Sequence, residues 1–164
     1  MVLAGAILGL VTLQRLGELV LSRRNTERLL AQGAREAAPG HYPLIVALHA
    51  AWLVGLWYLA VWRADVGVSW GWLAVFVILQ GLRLWVLATL GPRWTTRIIV
   101  LPGAPLLREG PYRFVSHPNY CIVAAEILVL PLCFGLVWYG IVFSVLNALV
   151  LWIRIRAEQA ALRQ

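Results

Sequence analysis

Four long apolar runs dominate this sequence: Val2 to Leu21, Pro43 to Trp62, Trp70 to Leu90 and Leu136 to Ile155. Each matches the roughly 20 residues that a helix needs to cross about 30 Å of hydrocarbon. Lipid offers no partner to a backbone N–H or C=O, so a spanning run must be helical. A shorter apolar run, Tyr120 to Leu132, has Pro131 near its end, and Gly135 is the expected break after it. The expected fold is therefore all-α: a polytopic membrane helical bundle with about five transmembrane helices, built as one integral membrane domain over residues 1–164. Composition agrees. The chain is 62% hydrophobic and only 13% charged, against about 25% charged in an ordinary soluble domain. The first run is expected to be retained, since it lacks a basic start and is interrupted by Gln14, Arg15 and Glu18.

The segments between the runs carry the orientation signal. All fourteen basic residues are arginine. Arg23, Arg24, Arg28 and Arg35 lie in the polar stretch from Ser22 to His41, expected as a loop. Arg93, Arg97, Arg108 and Arg113 lie between Gly91 and Asn119, and Arg154, Arg156 and Arg163 near the C-terminus. The connection from Arg63 to Ser69 has one arginine, Arg63, offset by Asp65. With an odd number of spans the Arg-rich segments share one side. The positive-inside rule then puts the N-terminus outside and the C-terminus in the cytoplasm. The basic residues form no stripe, so no nucleic acid is expected as a partner. Trp52, Trp57, Trp62, Trp70, Trp72 and Trp138 lie near span ends and read as interfacial anchors. Cys121 and Cys133 would sit about 18 Å apart on one helix, too far for a disulfide. No metal-ligand spacing is present, and both read as packing residues.

Ionisable groups inside spans mark either an internal partner or a function. Arg15 and Glu18 are spaced to pair on one helical face. His49 reads first as a packing histidine. Arg83 and Glu126 would pair across the bundle or line a polar cavity, and the sequence leaves both readings open.

The densest chemistry lies in Arg108 to Tyr120, REGPYRFVSHPNY. Gly110-Pro111 forces a turn. Pro118 suits the first turn of a helix and holds His117 at its entrance, where free N–H groups and the dipole receive polar groups. Tyr112 and Tyr120 add aromatic faces that attract a cation. These features fit a pocket for a cationic cofactor such as a sulfonium, and fit equally an ordered re-entrant loop without a ligand. Downstream, Arg154 and Glu158 share one helical face in RIRAEQAAL. They read as a surface ion pair, or as the far wall of the same pocket if that helix end folds against the loop.

GPYRFVSHPNY followed by RIRAEQAAL resembles the isoprenylcysteine carboxyl methyltransferase family, and most closely its bacterial branch. QRLGELVLSRRN and HYPLIVALHAAW are similar to early patterns of that branch, so the resemblance covers most of the chain. It implies an S-adenosylmethionine-dependent methyltransferase in the bacterial cytoplasmic membrane, with its active site facing the cytoplasm. Cofactor-binding positions implied by the resemblance are Ala104, Pro105, Leu106, Leu107, Tyr112, His117, Pro118, Asn119, Tyr120 and Glu158. The late arginine associated with the acceptor matches Arg154. Where the family commonly has arginine before His-Pro, this chain has Ser116, and Arg113 is the candidate to compensate.

The resemblance implies methylation of a carboxylate or hydroxyl oxygen on a lipophilic acceptor: a prenylated carboxylate, or an alkylpyrone or phenolic lipid. Its apolar tail would enter between helices. Arg154 would orient a carboxylate, which needs no base. A hydroxyl must lose a proton, with Glu126 or His49 as candidate bases. Two alternatives stand beside this: a phospholipid amine N-methyltransferase, and a non-catalytic transporter or assembly protein using Arg15, Glu18, Arg83 and Glu126 as an ion path.

Overall fold

Every apolar run forms a helix in the computed structural model, which describes residues 2–62, 67–105 and 107–162. The helices are α1 (Val2–Ala31), α2 (Tyr42–Trp62), α3 (Trp70–Leu90), α4 (Pro118–Cys133) and α5 (Val137–Leu162). Among the described residues α1, α2, α3 and α5 are long and apolar enough to cross a membrane. Helix α4 has 16 residues, about 24 Å of rise, which is short of a full hydrocarbon core. Its surroundings make up the difference. It packs between α3 and α5 and buries Ile122, Glu126, Ile127, Val129, Leu130 and Cys133, so protein replaces lipid along much of its length. Arg63, Asp65, Leu106, Arg163 and the side chain of Trp62 lie outside the described residues.

Two features depart from the sequence reading. The polar stretch after Leu21 is not a loop from its start: α1 continues ten residues further, to Ala31. Ser22, Asn25 and Leu29 form its buried face, and Arg23 pairs with Glu27 on the exposed one at 3.1 Å. The helix thus stays amphipathic after it stops being apolar. Trp52 and Trp57 are not interfacial anchors either. Trp52 is 3% exposed, and its indole N–H donates to the Ile127 carbonyl at 3.2 Å. The Trp57 indole donates to Thr12 Oγ1 at 3.0 Å. Trp70, Trp72 and Trp138 do stand exposed on the outer surface.

The C-terminal ends of α1, α3 and α5 meet the N-terminal ends of α2 and α4 at one end of the bundle. The segment between α3 and α4 caps that end. Ser22 and Tyr42 both hydrogen-bond Thr96 Oγ1, at 2.8 and 3.1 Å. The Asn25 amide donates to the carbonyls of Trp94 (2.9 Å) and Gly91 (3.2 Å). A two-residue antiparallel ladder joins Arg35 to Val100 and Glu36 to Ile99. At the other end Gly135, at φ 68°, turns the chain from α4 into α5, a conformation that suits glycine. There the Ser69 N–H donates to Cys133 O at 2.8 Å. Cys121 is exposed and Cys133 buried, both as free thiols.

The core is apolar around Leu8, Leu56, Ile127 and Leu130. At mid-bundle it becomes ionic. Arg83 Nη2 meets Glu18 Oε2 at 2.5 Å and Arg83 Nη1 meets Glu126 Oε2 at 2.9 Å. Arg15 bridges the same carboxylates, at 3.1 Å to Glu18 and 2.9 Å to Glu126. Gln80 donates to the remaining Glu126 oxygen at 2.7 Å. The two pairings expected separately from sequence are thus one neutral quartet from α1, α3 and α4.

Candidate functional site

The first turn of α4 and the last turns of α5 meet at Tyr120. Its hydroxyl donates to Glu158 Oε2 at 2.6 Å and accepts from Arg154 Nε at 2.8 Å. The i, i+4 spacing of Arg154 and Glu158 lets one phenol join both. His117, the residue just before α4, stacks on the Tyr120 ring with centroids 5.2 Å apart and planes 12° apart. Its Nδ1 lies 3.8 Å from Glu158 Oε2. Arg154 is 7% exposed although it follows an apolar run. Its charge is held by the Tyr120 hydroxyl and lies near the same ring, 5.3 Å from the centroid.

This cluster forms part of the wall of a cavity of about 530 Å³ under the cap. Ala104, Pro105, Leu107, Tyr112, His117, Asn119, Tyr120, Arg154 and Glu158 line it, and Ser116 lies at its edge. Pro118 does not line it: it is buried as the first residue of α4. Burial, and secondarily the Glu158 charge, push the Tyr112 hydroxyl up to about 12, so Tyr112 remains a neutral donor at physiological pH. Arg93, Arg97 and Arg108 also line the cavity, whereas Arg113 is exposed and does not. Arg113, the residue expected to compensate for Ser116, is thus not part of the cavity wall, and of Arg93, Arg97 and Arg108, which are, Arg97 is paired with Glu36. Arg93 also fixes the cap by donating to Pro105 O at 2.9 Å.

A second cavity, about 310 Å³, lies deeper, between α1, α2, α4 and α5. Leu16, Leu19, Val46 and Ile127 supply apolar walls, while Arg15, Glu18, His49, Arg83 and Glu126 supply a polar one. Leu16 and Leu19 also stand exposed on the outer surface of the bundle. Trp94, Thr95, Asn119, Tyr120 and Arg154 line both cavities. Two atoms on that partition have no partner among the described residues: Asn119 Oδ1 and Trp94 Nε1, both fully buried. A buried polar atom without a partner is costly.

Sequence reasoning missed Trp94 and Thr95. No spacing signal marks them, because the cap folds back across the bundle and places them by contacts with Ser22, Asn25 and Tyr42. Glu126, taken from sequence as a catalytic candidate, has both carboxylate oxygens committed to Arg15, Arg83 and Gln80. It forms part of the wall of the deeper cavity as an ion-paired carboxylate.

Gly110 starts the turn that presents Tyr112. Its φ is 53°, and a Cβ there would lie 2.6 Å from Thr89 Oγ1. Gly110→Ala should lower stability by about 1–3 kcal/mol. Gly81, in α3 with nothing within 4 Å of its would-be Cβ, should instead accept alanine with a gain of about 0.5–1 kcal/mol. Thermal unfolding of both variants in one detergent checks the opposite signs.

The sequence model of the isoprenylcysteine carboxyl methyltransferase (ICMT) family matches residues 72–164, which hold α3, the cap, α4 and α5. An uncharacterized protein of Bacillus subtilis, YpbQ, is 37% identical over 161 residues, covering 96% of this chain and 95% of its own length. An uncharacterized protein of Haemophilus influenzae is 25% identical over 155 residues, covering 90% and 88% respectively. No solved structure matches significantly. The matched segment contains the Tyr120 cluster and nearly all of the wall of the cap cavity, with α1 and α2 supplying the rest of the deeper one, and the chain belongs to the isoprenylcysteine carboxyl methyltransferase family, a family of membrane methyltransferases.

Proposed function

We propose that this protein transfers a methyl group from S-adenosylmethionine to an oxygen atom of a lipophilic acceptor. One observation carries the reading: two cavities of different character share a partition built from Trp94, Thr95, Asn119, Tyr120 and Arg154. A water-soluble donor fits the polar cavity under the cap. An acceptor with an apolar tail fits the deeper one, with Leu16 and Leu19 on its route from the bilayer. The arginine-rich end of the bundle argues for a cytoplasmic cap.

The residues of the cap cavity fit the donor. S-adenosylmethionine, when bound, supplies a methyl group on a positively charged sulfur. The stacked His117 and Tyr120 rings offer π faces to such a cation. Glu158 Oε1 accepts no hydrogen bond among the described residues and is open to an ammonium or a ribose hydroxyl. Arg93 and Arg108 offer a carboxylate its counter-charge, while Arg97 is already paired with Glu36 at 2.9 Å. Ala104, Pro105 and Leu107 supply an apolar wall for the base.

The deeper cavity favours oxygen over nitrogen as acceptor. Its two carboxylates are neutralised by Arg15 and Arg83, and Arg154 adds a further cation. An anionic oxygen would find Arg154 there as its counter-charge. The same mutual pairing argues against an ion path, because neither carboxylate is free to pass a cation along. Catalysis on this reading is positioning: the partition aligns acceptor and methyl group and excludes water.

The test is calorimetric titration of detergent-purified protein with S-adenosylmethionine, followed by transfer of labelled methyl into an apolar lipid extract. Saturable binding and label in the extract support the reading. A well-folded protein that neither binds nor transfers overturns it.

A further inference from the structure

We propose that His49 is the proton acceptor for a hydroxyl-bearing acceptor in the deeper cavity. His49 lies in α2 and lines that cavity together with the ionic quartet. Its Nδ1 is 2.8 Å from the carbonyl oxygen of Ile45, one turn earlier in the same helix. A carbonyl has no proton to give, so Nδ1 carries it. In the neutral ring the lone pair then sits on Nε2, and Nε2 has no hydrogen-bond partner among the described residues.

The neighbours leave one competitor, Glu126, and it is ion-paired. The charged groups facing His49 are Arg15 and Glu18 from α1, Arg83 from α3, Glu126 from α4 and, further along the cavity, Arg154 from α5. Every carboxylate oxygen of Glu18 and Glu126 already accepts from arginine or glutamine. Protonating either would break an ion pair. The tyrosine and threonine hydroxyls of the wall are donors and weak acceptors, and Asn119 Oδ1 is not basic. Glu18 accepts four hydrogen bonds and Glu126 three, so one lone pair on Glu126 Oε1 stays open beside Nε2 of His49. Of the two, only Nε2 takes a proton without neutralising an ion-paired carboxylate.

The step that follows rests on the methyltransferase reading. The acceptor hydroxyl gives its proton to Nε2, and its oxygen forms the new bond to the methyl carbon. The carbon–sulfur bond breaks with its electron pair on sulfur, which becomes a neutral thioether. The imidazolium then returns the proton to solvent. A carboxylate acceptor, already deprotonated, would not use His49.

An alkylated nitrophenol with a long saturated chain tests the first half without any methyl donor. The buffer is held below the pH at which the free probe ionises. Wild type should bind it as the yellow phenolate. His49→Ala and His49→Gln should bind it colourless, and imidazole should restore the colour to His49→Ala alone. Turnover of a hydroxyl acceptor by either variant should fall roughly 100-fold or more, with S-adenosylmethionine affinity unchanged. Equal phenolate bands in wild type and variants, or no binding of the probe by wild type, overturn the proposal. Colour that depends on His49 in a protein that does not bind S-adenosylmethionine would sink the methyltransferase reading and leave this one standing.

Discussion

Replacing Glu158 with alanine should weaken S-adenosylmethionine binding about 100-fold while the protein stays folded. Glu158 is half-buried and joins two elements: Oε2 accepts from Tyr120, which is itself held by Arg154, and His117 Nδ1 lies 3.8 Å away. The alanine variant removes the free carboxylate oxygen that would face the ligand. It also releases the Tyr120 hydroxyl, and with it the orientation of the stacked His117 ring. Hydrogen bonds to a charged group contribute about 1.5–3 kcal/mol each, and about 1.4 kcal/mol is a factor of ten in affinity. Loss of one such contact in full gives the hundredfold figure. Glu158→Gln keeps the shape and the Tyr120 contact without the charge, and should fall between. Arg156→Ala, two residues earlier but exposed and resting on Trp152, should bind as wild type does. Calorimetry of the three variants beside wild type decides. Unchanged affinity in Glu158→Ala would remove Glu158 from the site.

The apolar lengths and the site spacing were legible in the sequence for physical reasons. Lipid forbids unpaired backbone, so hydrophobic run length marks a spanning helix, and α3 runs from Trp70 to Leu90 as its apolar run does. Arg154 and Glu158 were legible because i, i+4 spacing puts them on one face, and His117 and Tyr120 because Pro118 marks the helix start between them. The end of α1 was not. Hydrophobicity stops at Leu21, but Ser22 and Asn25 continue the buried face by bonding Thr96, Gly91 and Trp94, some seventy positions away. The partition was hidden for the same reason. Trp94 and Thr95 are placed by long-range contacts with α1 and α2, which no local pattern records. Arg83 and Glu126 illustrate a third case: the residues were conspicuous, but whether they form a pair or line a cavity is decided only by packing, and they do both.

Arg83→Ala should cost about 3–5 kcal/mol of stability, the usual price of leaving one side of a buried ion pair behind. Arg83 is 4% exposed and reaches both Glu18 and Glu126, which are 7% and 2% exposed. Without it Arg15 alone faces two carboxylates in a low-dielectric interior, and the quartet becomes net negative. Glu126→Ala should cost a similar amount by the converse logic, leaving two guanidinium groups against one carboxylate. The double variant Arg83→Ala with Glu126→Ala removes one charge of each sign, and should recover part of the loss that the single losses would sum to. Thermal unfolding in one detergent reads all three. The same variants decide what Glu126 does. Glu126→Gln keeps an amide oxygen for Arg83 and Arg15 and should retain most turnover, because a proton on Glu126 would break its ion pairs with Arg15 and Arg83. A Glu126→Gln protein that is as stable as wild type yet inactive would move the proton transfer from His49 to Glu126.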